Sequence, residues 1–211
     1  MSAAPAWLEH VDLGKSALIV VDMQNDFCHE KGAGALNGGD VTLQQALVPH
    51  LQSLIDATHG AQRPVIFIKT THDATTNTPS WLTRYGSRKH TICDTGGWGA
   101  EYYGVAPAEG DIEVIKHRFS AFIRTDLELR LRALGVETLL MTGVATNGCV
   151  ESTLRDGYML DFFTLLVEDC CGTGSAEAQA RTVSNVSRFF GWVTTSEELA
   201  GLLDGNLAAV A

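Results

Sequence analysis

The 211-residue chain predicts an α/β protein, a three-layer arrangement with a six-stranded parallel sheet between helices and a Rossmann-like strand order. Three observations carry this expectation. Short runs apolar at every successive position recur along the chain, and strands apolar on both faces belong to parallel sheets covered by helices. Amphipathic stretches with helical spacing separate those runs. No internal repeat or Pro/Ser-rich linker divides the chain, so one domain over residues 1–211, with its core at about 16–200, is the simplest reading.

In chain order, residues 1–15 read as a loosely docked leader. Ala17–Val21 is the first strand, continuous and rich in β-branched residues. Gln44–Thr58 follows as a helix, with Leu47, Leu51, Leu54 and Ile55 along one stripe. Val65–Ile68 is the second strand. Residues 70–110 interrupt the alternation with Trp81, Tyr85, Trp98, Tyr102, Tyr103 and several glycines. A loop this long inside a domain reads as a lid or pocket wall. Ile112–Ile115 is the third strand. Thr125-Asp126-Leu127-Glu128 has the pattern of a capping box, opening a helix that Gly135 stops. Thr138–Thr142, a helix at Val150–Tyr158, Phe162–Val167, a helix at Ala176–Phe190 and a short run at Trp192–Thr195 complete the alternation, and residues 204–211 read as a tail.

Composition narrows the function. Hydrophobic residues make up 45% and charged residues 19%, which argues against disorder. Twenty-five acidic against 15 basic residues give a formal charge of -10, so a phosphate backbone would be repelled and no nucleic-acid partner is expected. No apolar run approaches the roughly 20 residues needed to span a bilayer, and the N-terminus lacks the pattern of a signal peptide. The five cysteines are odd in number, and the adjacent Cys170 and Cys171 suit neither a disulfide framework nor a C-x-x-C pair. A reducing, cytoplasmic setting is expected, which leaves thiols free for chemistry.

In open α/β sheets ligands bind beyond the carboxyl ends of the strands. Asp22 follows the first strand, Lys116 the third, and Cys149 lies in the turn after the fourth, where a helix begins. A helix N-terminus and a nearby ammonium both favour a thiolate, so a lowered Cys149 pKa is expected. On residue type alone a cysteine is as readily a buried structural thiol, a strand-end aspartate a turn residue and a lysine a solvated one. Position decides otherwise: a carboxylate to carry the proton, an ammonium to hold charge and a thiol to attack make a Cys–Asp–Lys set. Asp26 reads as a loop residue, and Cys28, Cys93, Cys170 and Cys171 as structural. No metal is expected, because the seven histidines form neither H-E-x-x-H nor a Cys/His zinc spacing, and no cofactor, because both glycine-rich nucleotide motifs are absent.

Val21–Phe27, Lys116–Phe122 and Thr142–Val150 resemble the isochorismatase-like cysteine hydrolases, in the family's order and at the matching strands. Within that family, Ala145–Gly157 and Phe189–Val193 are similar to the ureidoacrylate amidohydrolases and to the biuret and triuret hydrolases. The resemblance implies Asp22, Lys116 and Cys149 as the catalytic set, a cis peptide between Val144 and Ala145, and an oxyanion hole built from the Ala145 and Cys149 backbone N–H groups. It implies cleavage of a C–N bond in a small ureide through a thioester-type intermediate, releasing ammonia or an amine, in a homodimer or tetramer. Asn25, Phe27, Trp81, Tyr85 and Phe122 are the expected substrate contacts. The segment Lys69–Ala74 lacks the metal loop of nicotinamidases. Two other readings stand beside this one: hydrolysis of a simple amide such as a maleamate-like acid, whose carboxylate Arg84, Arg88 or Arg118 would bind, and a non-catalytic binding protein on the same fold.

Overall fold

The computed structural model describes residues 5–85 and 89–210. Six parallel strands form one sheet: β1 (Ser16–Val21), β2 (Val65–Thr70), β3 (Ile112–Lys116), β4 (Thr138–Val144), β5 (Phe163–Gly172) and β6 (Trp192–Thr194). Their spatial order is β3-β2-β1-β4-β5-β6, so the winding reverses between β1 and β4. Every residue of β1 and β4 is buried, as their unbroken apolar runs require. The strand β3 lies at the edge, and there exposure alternates: Ile115 is half-exposed while Lys116 beside it is fully buried.

Short helices α1 (Asn25–Cys28), α2 (Ala33–Leu36) and α3 (Thr42–Ala46) follow β1 and lead into α4 (Val48–Gly60). The sequence read α3 and α4 as one helix. The break falls at Leu47, and Pro49, which has no N–H to donate back along a continuous helix, sits in the first turn of α4, where that N–H is not needed. Helix α5 (Pro79–Tyr85) lies within the long β2–β3 connection, and α6 (Leu127–Ala133), α7 (Glu151–Met159), α8 (Ala176–Phe189) and α9 (Ser196–Val210) follow the later strands. One apolar layer packs α4 and α9 on the sheet; the other gathers Leu127, Leu131, Leu154 and Val186 from α6, α7 and α8.

Four expectations need correction. The described part of the leader is docked: Trp7, Val11 and Leu13 are buried in the α4 layer, each contributing about 1.5–3 kcal/mol if fully withdrawn from water. The tail is the end of a helix, since α9 continues to Val210 and seats Leu199 and Leu203 in the core. The capping box does not close, because the Thr125 hydroxyl donates to the Ala121 carbonyl and accepts from the Leu127 N–H instead. Strand β5 runs on through Cys170 and Cys171, with a register shift against β4 that accommodates Glu168 and Asp169.

Candidate active site

Strand order places the polar groups. The ends of β1 and β3 flank the end of β2, whose last residue, Thr70, pairs in register with Lys116. Beyond β1 the chain turns at Asp22, which adopts φ +51°, a left-handed conformation that aspartate tolerates. Beyond β4 the Val144–Ala145 peptide is cis, and a π-helical turn, Thr146–Val150, carries Cys149 into α7. Gly143 enables this: its φ is +100°, and a Cβ there would lie 2.1 Å from the Val21 carbonyl oxygen.

These turns converge on one buried ammonium. Lys116 Nζ lies 2.7 Å from Asp22 Oδ2, and it donates to Thr70 Oγ1 at 2.6 Å, to the Arg118 carbonyl at 3.0 Å and to Cys149 Sγ at 3.2 Å. An ammonium has three hydrogens and here four acceptors. All four lie within hydrogen-bond reach, and Asp22 Oδ2, the carboxylate oxygen 2.7 Å from Nζ, makes the charge-assisted contact. The Thr70 hydroxyl accepts from Lys116 and therefore spends its own hydrogen on Asp22 Oδ1, at 2.9 Å. The carboxylate thus has Oδ1 held by Thr70 and Oδ2 held by the ammonium, with the Cys149 thiol also bonded to it.

Gln24 fixes Thr70. Its side-chain amide accepts from the Thr70 N–H and donates to the Thr70 carbonyl, both at 2.8 Å, and donates again to the Ala100 carbonyl at 2.8 Å. Burial works against the charge on Lys116, but Asp22 and Cys149 carry its pKa above the ordinary lysine value. The expected lowering at Cys149 does not occur. Burial first, then the Asp22 charge, pushes the thiol up to about 12, with Lys116 opposing. The resting thiol is protonated at neutral pH.

The cluster opens into a cavity of about 380 Å³ lined by Phe27, His72, Trp81, Arg118, Phe119 and Cys149, among others. Phe27 and Trp81, two of the expected contacts, line this cavity. Asn25 and Phe122 do not line this cavity: the Asn25 amide donates to the Trp98 carbonyl at 2.9 Å, and Phe122 stacks on Phe162 in the core. The Tyr85 side chain and Arg88 lie outside the described residues. Asp26 is a structural tie, its two oxygens accepting from the Ala33 N–H at 2.8 Å and the Cys93 N–H at 2.6 Å. Sequence reasoning missed Thr70 and His72. Neither residue type carries a signal of its own, although both fall at the end of β2, where a switch-point site is expected. His72 stacks on Trp81 at 4.7 Å, and burial together with Lys116, His117 and Arg118 lowers its pKa to about 4, so it is neutral. Among the described residues, no three His, Cys, Asp or Glu side chains converge as a metal site would.

A buried thiol, carboxylate and ammonium in contact at the floor of an apolar cavity define a cysteine hydrolase. Residues 16–198 match the isochorismatase domain family. The chain belongs to that family and is a hydrolase of non-peptide C–N bonds. It is 36% identical over 197 residues to the ureidoacrylate amidohydrolase RutB of Stutzerimonas stutzeri, covering 86% of this chain and 79% of the relative. A cysteine hydrolase from Pseudomonas syringae pv. phaseolicola superimposes with a TM-score of 0.82 at 26% identity, over 92% of this chain and 95% of the other. The N-carbamoylsarcosine amidase of Thermoplasma acidophilum does so at 0.72 and 25% identity, over 86% and 96%.

Proposed function

We propose that the chain hydrolyses a C–N bond of a small ureide, with Cys149 as nucleophile, Asp22 as proton carrier and Lys116 as the fixed charge between them. One observation carries this reading: Lys116 Nζ lies 2.7 Å from Asp22 Oδ2 and 3.2 Å from Cys149 Sγ. The likeness to an enzyme named for ureidoacrylate supports the ureide class.

A thiol with a pKa near 12 needs a base at neutral pH. As Sγ adds to the carbonyl carbon, its proton passes to Asp22 Oδ2. The oxygen gains charge and turns toward the Ala145 and Cys149 backbone N–H groups, which form the oxyanion hole of this reading. Collapse breaks the C–N bond, and the leaving nitrogen takes the proton from Asp22, departing as ammonia or an amine. The acyl group stays on sulfur. Water then gives a proton to Asp22 and its oxygen to the acyl carbon, and the sulfur leaves with that proton restored. Lys116 remains protonated throughout and compensates the charge that moves between sulfur and carboxylate.

The test is ammonia release over biuret, triuret, 3-ureidoacrylate, carbamoyl amino acids and plain amides. Turnover of a ureide, lost in Cys149→Ala, supports the reading. Turnover of plain amides alone would replace the ureide with the simple amide.

A further inference from the structure

The electrostatics of the cavity are asymmetric. Among the described residues, its two lining lysine and arginine side chains are Lys116 and Arg118. Lys116 is already matched by Asp22 at 2.7 Å. Arg118 is half-buried and forms no ion pair among the described residues, in a chain whose net charge is -10. Among the described residues its guanidinium donates only to neutral oxygens: the His117 carbonyl, the Thr76 carbonyl at 3.2 Å and Thr78 Oγ1 at 3.3 Å. A guanidinium has five N–H groups, so two of them, one on Nε and one on Nη1, have no acceptor among the described residues.

Arg118 is also held in place. Its carbonyl accepts from Lys116 Nζ, its guanidinium lies 5.4 Å over the Trp81 ring, and Trp81 stacks on His72. The two lining carboxylates among the described residues, Asp40 and Asp94, are exposed and occupied: Asp40 accepts from the Thr42 N–H and Asp94 from the Thr91 hydroxyl. The cation is therefore inside and the acids are at the surface. The depressed pKa of His72 agrees, since after burial three basic residues lower it and only Asp94 raises it.

Building on the ureide reading, we infer that Arg118 is the anion subsite of the cavity, taking a carboxylate on the substrate while the ureide carbonyl lies at Cys149. A charge-assisted bond to a guanidinium shielded by Trp81 is stronger than one in water. The chain therefore selects carboxylate-bearing ureides over neutral ones of equal size, and Arg118 is a specificity-determining residue.

The experiment measures equilibrium binding to Cys149→Ala protein by calorimetry, so it needs no turnover. The probes are 3-ureidopropionate and its methyl ester. The acid is expected to bind at least about tenfold more tightly than the ester, with an affinity that falls as salt rises. In Cys149→Ala/Arg118→Gln the two are expected to bind within about threefold of each other, and Arg118→Lys is expected to keep part of the preference. Equal binding of acid and ester, no binding of the acid, or an undiminished preference in the Arg118→Gln protein would overturn the inference. If Arg118→Gln does not fold, the acid–ester comparison and its salt dependence in the Arg118-intact protein decide. A wild-type chain that releases ammonia from no ureide would overturn the ureide reading instead, a separate result.

Discussion

A lysine with three hydrogens and four neighbours gives the cluster its direction. Because Thr70 takes one hydrogen from Lys116, it has only one way to point its own, and that fills Asp22 Oδ1. In the proposed mechanism the other oxygen, Oδ2, takes the thiol proton. Thr70→Val removes this ordering and leaves Oδ1 buried without a donor. We expect kcat to fall about 10- to 100-fold with KM nearly unchanged, and Thr70→Ser to recover most of it, the size of one lost buried hydrogen bond to a charge. A Thr70→Val enzyme with the wild-type kcat would show that the hydroxyl does not set the proton's route. Asp22→Asn cannot accept the proton at any pH, so it should lose at least about 10²–10⁴-fold across the whole range. Lys116→Met should differ in kind. The lysine opposes the rise in the Cys149 pKa, so its removal raises that pKa further, and the lost rate should be partly regained as pH increases. Parallel pH–rate profiles for the two variants would contradict separate roles.

Among the elements, β1 and β4 bring Asp22 and Cys149 together, and their junction has no room for a side chain at Gly143. Gly143→Ala forces a Cβ against the Val21 carbonyl at a φ that alanine resists. A loss of at least about 2 kcal/mol in urea unfolding, with activity falling further than stability, is expected. A fully active, equally stable variant would mean that the junction yields. The strands themselves were legible because a parallel sheet covered on both faces forces unbroken apolar runs, as in Ala17–Val21. Placing Asp22, Lys116 and Cys149 needed only the rule that sites lie at strand ends. Thr70 was not legible, since a threonine closing a strand is ordinary β-sheet composition and its task follows from strand order. Trp7 and Val11 were hidden because isolated apolar residues without periodicity give no sign of what covers them. The Cys149 pKa was misjudged because residue neighbours in sequence report helix ends and charges, whereas burial, the dominant cause, is a property of the fold.

Across the whole molecule, all five thiols are buried and burial raises every one of their pKa values, Cys28 and Cys149 to about 12. The unfolded chain releases thiol protons near pH 8.5, while the folded chain holds them. Unfolding is thus favoured as pH rises, and stability that is complete below about pH 8.5 should decline progressively above it toward pH 12. Urea midpoints at pH 7.5, 9 and 10 should fall in that order, and a constant or rising midpoint would contradict the burial of these thiols as protonated groups. The central claim is narrower: that Cys149 makes and breaks the bond. Its most direct test is the rate of ammonia release by Cys149→Ala against wild type on the best ureide substrate, both proteins first matched in thermal melting. The account predicts less than about a thousandth of the wild-type rate, because no other group at the cavity floor attacks carbon. A Cys149→Ala protein that keeps more than about a tenth of the rate would contradict it.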